Sequence, residues 1–355
     1  MHITVVRRVK PLPLGNVLIP SLSIITGILL ASLILYLLMN IPPSQFFTYV
    51  GEGFVSLETL RDFILLTILG TALIISFKGA VWNIGAEGQI TMGMLAAAYV
   101  ALFTNLSSSP ILGKITMVVL ALILGGAWGL IAGVLKAYLS IDEVASTLIM
   151  NYIAYYILNY LVRGPWKGKH TYGYIRTDLI PESVCFSTLP IRGITITYEE
   201  ILLLIVTLVF AYVLLYKTAL GVRIRILGSN PEALKAAGVN VKLLIITLLT
   251  ISGAISGIVG ATQLAGYLHR ISYPIETHTP YLGYTAILVA WLSMLDLRAV
   301  PIIAFIIGSL NQAGRLLQIA GVGGIAVTYL FIGTILMTFT ILRVFSEYKI
   351  KLIKG

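Results

Sequence analysis

Polar side chains are scarce in this sequence. The densest set able to do chemistry lies in Phe77-Lys78-Gly79-Ala80-Val81-Trp82-Asn83-Ile84-Gly85-Ala86-Glu87-Gly88-Gln89. Three glycines, two amides and a carboxylate interrupt two long apolar runs there. Where such runs cross a bilayer, non-helical backbone survives only inside protein or beside a water-filled cavity. Ionisable groups at that depth point to a pathway or a binding site. Asn83, Glu87 and Gln89, with Trp82 beside them, offer donors and acceptors suited to hydroxyls or base edges. The structural alternative is that these groups satisfy the broken backbone, with Glu87 capping a helix start. Gln263, Tyr284, Thr285, Asn311 and Gln312 are the other polar residues in apolar runs, and each reads first as a helix–helix hydrogen bond.

A second polar stretch, Ala219 to Lys242, carries a different chemistry. Arg223 and Arg225 lead in, and Ser229-Asn230-Pro231-Glu232 has the composition of a helix start. Ser229 can accept from an exposed backbone N–H, Glu232 can reach back from three places on, and Pro231 suits an early helical position. Gly238 supplies a left-handed stop after Ala236-Ala237. The helix so bounded has roughly two turns, too few to stand alone, so it must dock on something.

Catalytic constellations do not emerge. No Ser–His–Asp or paired-acid arrangement stands out, and His269 and His278 lack a carboxylate at a spacing that suggests catalysis or metal. Gly164-Pro165-Trp166-Lys167-Gly168-Lys169-His170 imitates a phosphate-binding loop, but it is one residue short between the glycines and places histidine where Ser or Thr must ligate magnesium. No other nucleotide motif occurs, so any ATP is hydrolysed by a partner. A metal-dependent membrane transferase would need acidic loops, and Asp142-Glu143 is the one acidic pair on the side assigned below to the cytoplasm. A proton-driven carrier would carry a string of intramembrane acids, which is also missing. The sequence therefore predicts no enzyme, no metal and no cofactor. Its one cysteine, Cys185, excludes an internal disulfide framework.

The elements that must position these residues follow from composition. Of 355 residues 58% are hydrophobic and 11% charged, against roughly a quarter charged in soluble domains. The net charge of +10 is dispersed between apolar runs rather than gathered in one patch, so it reads as membrane topology and not as nucleic-acid binding. Spans are predicted at about 17–39, 58–77, 88–104, 115–138, 144–162, 200–216, 243–265, 281–295, 299–315 and 322–343. The first is too long for a signal-peptide core and reads as uncleaved. Ten crossings put both ends on one side, with Arg7, Arg8, Lys10, Lys78, Lys136, Lys217, Arg223, Arg225, Lys235, Lys242, Arg298, Arg343, Lys349, Lys351 and Lys354. The other side receives Arg61, Lys114, Arg270, Arg315 and a long Gly-, Pro- and Tyr-rich segment, 163–199, expected to fold over the outer mouth. Positive charge marks the cytoplasmic side. The chain thus reads as a single all-α polytopic membrane domain, 1–355, with an external loop at 163–199, a cytoplasmic loop at 217–242 and both termini cytoplasmic. Small residues four apart, Gly125/Gly129/Gly133, Ser252/Ser256/Gly260 and Gly93/Ala97/Ala101, predict close helix packing.

Phe77-Lys78-Gly79 with Asn83 to Gln89 resembles the signature of the nucleoside branch of bacterial and archaeal ABC-importer permeases, in a superfamily shared with ribose and galactose permeases. Gly221-Val222-Arg223, Gly228-Ser229-Asn230-Pro231-Glu232-Ala233 and Gly238-Val239-Asn240 resemble its cytoplasmic loop. Gly283-Tyr284-Thr285-Ala286-Ile287 resembles its late-span signature, and Gly164-Pro165-Trp166-Lys167 its external loop. The matches run in order from about 77 to 290. Sugar permeases of the superfamily carry a Gly-Ile-Asp type of sequence where this chain has Asn83 to Gln89. The resemblance implies the large-importer (type II-like) permease architecture of about ten helices in a prokaryotic plasma membrane. It also implies a cytoplasmic ABC ATPase, a second permease subunit forming a heterodimer, and an external substrate-binding lipoprotein. Arg223, Ser229, Asn230, Pro231, Glu232, Ala233 and Gly238 would then couple to the ATPase. Trp82, Asn83, Glu87, Gln89, Tyr284 and Thr285 would line the substrate path. Leu234 stands where such loops carry a second alanine, and is compatible with packing into an apolar groove. The alternatives are a sugar permease of the same superfamily and an ion-coupled carrier.

Overall fold

Short polar residues begin five of the helices. Asp142, Thr218, Asn230 and Asn240 each accept a backbone N–H through the side chain, and Thr197 with Glu200 forms a reciprocal capping box. The computed structural model describes residues 2–7, 14–169, 173–190, 193, 195–277, 281–322 and 326–353. Arg8, Lys10, His170, His278 and Lys354, named above, lie outside them. In order come β1 (His2–Arg7), α1 (Gly15–Met39), α2 (Pro43–Val55), α3 (Thr59–Phe77), α4 (Ala86–Phe103), α5 (Pro110–Leu139) and α6 (Glu143–Arg163). Then follow α7 (Tyr198–Lys217), α8 (Ala219–Ser229), α9 (Pro231–Ala236), α10 (Val241–Gln263), α11 (Leu282–Leu292), α12 (Val300–Ile319), α13 (Ala326–Glu347) and β2 (Tyr348–Ile353).

A helix occupies each of the ten predicted spans, and among the described residues eight are long and apolar enough to cross a bilayer. The two exceptions have different causes. α6 has 21 residues, but its four tyrosines and two asparagines make it less apolar. α11 has 11 residues, about 16 Å of helix against a hydrocarbon core of about 30 Å. The all-α expectation needs one addition: β1 pairs antiparallel with β2, from His2–Ile353 to Arg7–Tyr348. That ribbon places the two ends together.

The chain divides into two compact units, Met1–Asp62 with Trp291–Gly355, and Phe63–Ala290. In the first, α1 lies against α13, where a Cβ on Gly27 would stand 2.7 Å from the Ile335 Cα. α2, which the sequence reading did not anticipate, packs on α12, and a Cβ on Gly53 would stand 2.9 Å from the Ala313 N. At the same junction Arg315 Nη2 pairs with Asp62 at 2.7 Å, and Gln312 donates to Glu58 at 2.9 Å. Gln312 thus bonds to the turn between α2 and α3, where its sequence position suggested a helix–helix hydrogen bond.

The second unit is built on α4, α5 and α10. The glycine spacing of α5 meets the Ser/Gly/Ala spacing of α10 backbone to backbone. A Cβ on Gly125 would lie 2.7 Å from the Gly257 Cα, and one on Gly133 2.8 Å from the Ile246 Cα. On Gly129 it would strike the Leu249 carbonyl, and on Gly93 of α4 the Gly257 carbonyl. Lipid supplies no hydrophobic drive between helices, so this close approach and its dispersion contacts hold the three together. The 163–199 segment closes over the end of α10. Phe186 N donates to the Ala265 carbonyl at 2.9 Å and Ile180 N to that of His269 at 2.9 Å. The Cys185 Sγ lies 3.3 Å from His269 Nδ1, brought there by tertiary folding across 84 residues.

Candidate functional site

After α3 the chain turns through Lys78-Gly79-Ala80, with Val81 N donating back to the Ser76 carbonyl, and runs extended to α4. Asn83 is fully buried. Its Nδ2 donates to Gln89 Oε1 at 3.0 Å and to Ser252 Oγ at 2.9 Å, while its Oδ1 accepts from Gly85 N and Gln89 Nε2, both at 3.0 Å. Ser252 is eleven residues past Val241, about 17 Å along α10, so the break lies midway along that helix. Two groups that the sequence did not place at the break hold its other side. Asn151 of α6 accepts from Gly88 N at 2.8 Å and donates to the Ile84 carbonyl at 3.0 Å. Glu143 accepts from Trp82 N at 3.4 Å and pairs with Lys136 at 2.6 Å.

Glu87 sits in the first turn of α4, where the helix dipole favours its charge. It is 1% exposed, and its Oε2 accepts from Gly283 N at 2.7 Å. Gly283 has no room for a Cβ, which would stand 2.8 Å from the Glu87 Cα. Thr285 is buried and donates to the Tyr281 carbonyl at 3.1 Å. The six expected path residues therefore differ in placement. Asn83, Glu87, Gln89 and Thr285 are buried and bonded within the protein; Trp82 is half-buried, its ring 5.0 Å from that of Phe77. Tyr284 reaches a cavity, its hydroxyl accepting from Asn151 Nδ2 at 3.0 Å.

That cavity, of about 270 Å³, is lined by Tyr152, Tyr155, Tyr156, Tyr281, Tyr284 and Glu276. Sequence reading missed all of these but Tyr284. Their signal was the tyrosine spacing of α6, where Tyr152, Tyr156 and Tyr160 recur every four residues and therefore share a face. Glu276 Oε2 accepts from Asn159 Nδ2 at 2.7 Å.

The second predicted stretch forms a corner. Arg225 Nη1 donates to the Leu215 carbonyl at 2.8 Å, closing the end of α7. α8 then runs to Ser229 and α9 starts at Pro231. Three local expectations change here. The cap of α9 is Asn230, whose Oδ1 accepts from Ala233 N at 3.1 Å; Ser229 instead bonds back to the Arg225 carbonyl at 3.2 Å, because α8 is still helical there. Glu232 does not reach back, and its carboxylate pairs with Lys235 at 2.8 Å. Leu234 does not present itself to a groove outside the chain: it is 3% exposed and pins the short helix down. Gly238 takes φ +75° with open space around it, as the stop required. Arg223, Ser229, Asn230, Pro231, Glu232, Ala233 and Gly238 are all exposed.

The two stretches touch. A Cβ on Gly228 would strike the Lys78 carbonyl, and one on Gly79 would stand 2.6 Å from Leu248 Cδ1 and 3.4 Å from Leu227 Cδ2. α8 thus rests directly on the turn that feeds the polar break.

A bundle of apolar helices with a broken polar segment at mid-depth and a capped surface helix resting on it is a multi-pass transport protein of the prokaryotic plasma membrane. The chain belongs to the family described as the branched-chain amino acid transport system permease component, whose model matches residues 55–340. It is 28% identical over 351 residues to the guanosine ABC transporter permease protein NupP of Bacillus subtilis, covering 96% of this chain and 97% of that one. It is 27% identical over 268 residues to the nucleoside ABC transporter permease protein NupB of Lactococcus lactis, covering 72% of each. The glucose ABC transporter permease protein TsgB13 of Haloferax volcanii is 30% identical over 249 residues, covering 66% of this chain and 62% of that one.

Proposed function

We propose that the chain is the permease subunit of an ATP-driven nucleoside importer. The contact of Gly228 with the Lys78 backbone carries this reading. A cytoplasmic ATPase that grips the exposed α8–α9 corner moves α8, and α8 has no compressible side chain between itself and the turn before Trp82. Displacement there alters the break at Asn83–Gln89, whose polar groups hold α4 against α6 and α10. Asn83, Glu87 and Gln89 then act by shaping the path, and Tyr284 touches what passes along it. Substrate arrives from an external binding lipoprotein, and a second, different permease subunit completes the path. The charge bias of the loops supports cytoplasmic termini, and the ribbon of β1 with β2 supports a shared side for them.

Similarity to NupP over nearly the whole chain favours nucleosides; similarity to TsgB13 favours a sugar as the second reading. The deciding measurement is uptake of labelled guanosine by cells producing the complete importer, with unlabelled guanosine, ribose and glucose as competitors. Competition by guanosine alone is expected, and competition by sugar alone would replace the substrate assignment. Uptake by the purified chain by itself, driven by an ion gradient in liposomes, would remove the ATP-driven reading.

A further inference from the structure

The tyrosine-lined cavity has no role in the coupling just described, and its chemistry is specific. Its walls come from α6, from the start of α11 and from the turn at Glu276, all within the second unit. Tyr281 and Tyr284 form a tilted pair with centroids 6.2 Å apart at 33°, and Tyr152 meets Tyr155 edge-on at 6.4 Å. Ring faces and edges both border the space, which at about 270 Å³ approaches the roughly 300 Å³ where small-ligand sites begin. Tyr281 also takes φ 48°, a costly conformation for a bulky residue that persists where the surroundings over-determine it and that clusters at ligand sites.

α6 carries the chemistry beyond the cavity. Tyr152, Tyr156 and Tyr160 are 53%, 68% and 73% exposed on one face. Tyrosine prefers the interface of a bilayer to its hydrocarbon, because its hydroxyl needs a polar partner. Tyr152 is nine residues past Glu143 in a 21-residue helix, close to mid-length, so this face suits a wet boundary better than lipid.

We propose that the cavity is a waypoint for the nucleobase inside the permease, with the base stacking on Tyr152 and Tyr281 and its N–H edge donating to Glu276. This rests on the nucleoside reading above. Stacking is tolerant of base identity, whereas a carboxylate accepts only from donors, so bases with ring N–H or amino edges are favoured. One Glu276 oxygen is held by Asn159, which fixes the carboxylate for the other to accept. A site assembled from phenol faces is weak enough to release its occupant, which conduction requires.

The test uses the complete importer in proteoliposomes, with guanosine uptake and ATPase rate measured together and 8-azidoguanosine as photolabel. Tyr152→Ala and Tyr281→Ala should each lower uptake about tenfold, the scale of one lost stack, with ATPase stimulation unchanged. Tyr152→Phe and Tyr281→Phe should restore most of the rate. Glu276→Gln should reduce guanosine transport more than transport of a nucleoside whose base lacks an N–H edge. Saturable labelling should fall on the peptides containing Tyr152 or Tyr281. Wild-type uptake rates in both alanine variants, or labelling confined to other peptides, would overturn the waypoint while leaving the importer reading intact. Import of sugar with no nucleoside import by the wild type would overturn both. Loss of uptake and ATPase together in the alanine variants, not restored by phenylalanine, would assign the tyrosines to packing and overturn the waypoint.

Discussion

The polar break and the α8–α9 corner carry similar residues and use them in opposite directions. Asn83, Gln89 and Asn151 turn their amides inward onto backbone, one another, Ser252 and Tyr284. Asn230 caps its own helix with one oxygen, and the surrounding Ser229, Glu232 and Gly238 are exposed. A buried donor without a partner is costly, so the break can hold one arrangement at a time and change only as a unit. An exposed corner keeps its groups available, so it can be gripped and released. Polar residues in the first region are construction; those in the second are, in the proposed coupling, a handle.

Four experiments separate these roles, beginning with the largest effect. Gly257→Val pushes a side chain against the Ala121 carbonyl and the Gly125 backbone. Overpacking typically costs about 1–3 kcal/mol, and a helix seam that cannot yield should lie at or above that range, read as loss of folded protein after extraction. Asn83→Ala strands Gly85 N, Gln89 and Ser252 together and should cost about 2–4 kcal/mol at about 1–3 kcal/mol for each unmade buried bond after partial relaxation; a lowered melting temperature of the purified chain checks it. Full stability in that variant would erase the contrast drawn here. Gly228→Leu should leave the subunit assembled and the ATPase active while uptake falls at least fivefold, because the added side chain wedges α8 off Lys78. Gly238→Val meets no neighbour but must hold a left-handed φ, costing roughly 1–2 kcal/mol; it should loosen α9 and uncouple partially, by twofold to threefold in uptake per ATP. Normal coupling in both glycine variants would mean that force does not enter at this corner.

The smallest effect is at Cys185. Burial, then the charge of Glu182, raises the Cys185 thiol above its ordinary value near 9.0, and Lys114 opposes them. The thiol therefore stays protonated at neutral pH and should alkylate slowly, at a rate that rises with pH until it passes the raised thiol value. Glu182→Gln should increase the neutral-pH rate slightly.

Much of the fold was legible because hydrophobic length is a local property. All ten predicted spans contain a helix, since an apolar run leaves backbone groups no partner but the helix itself. α2 escaped because its apolar residues alternate with Ser, Gln, Gly and Glu over 13 positions, too short and mixed to signal a span. The candidate site was legible only in part. Glycines and amides at 79–89 announced a break, but the partners that complete it, Asn151, Ser252 and Gly283, lie 63 to 196 residues away from the groups they bind. The tyrosine cavity was hidden for the same reason, because Tyr152 and Tyr281 meet through tertiary packing alone. Ser229 and Glu232 formed a plausible capping box in isolation, but α8 continues to Ser229, so the cap falls on Asn230 and no reciprocal bond forms.

The ribbon of β1 with β2 and the packing of α1 on α13 give the first unit a timetable. Its opening helices, ending at Val55, find their partners only in α12 and α13, the first of which begins at Val300. At the usual 5–20 residues per second, α1 and α2 wait roughly 12–50 s on the ribosome's schedule. The segment from Phe63 to Ala290 needs no such wait, since its glycine seam is complete once α10 emerges. The inner portion of the chain is thus free to form first, and the first unit is completed last, leaving the earliest helices exposed meanwhile to whatever receives them in the membrane.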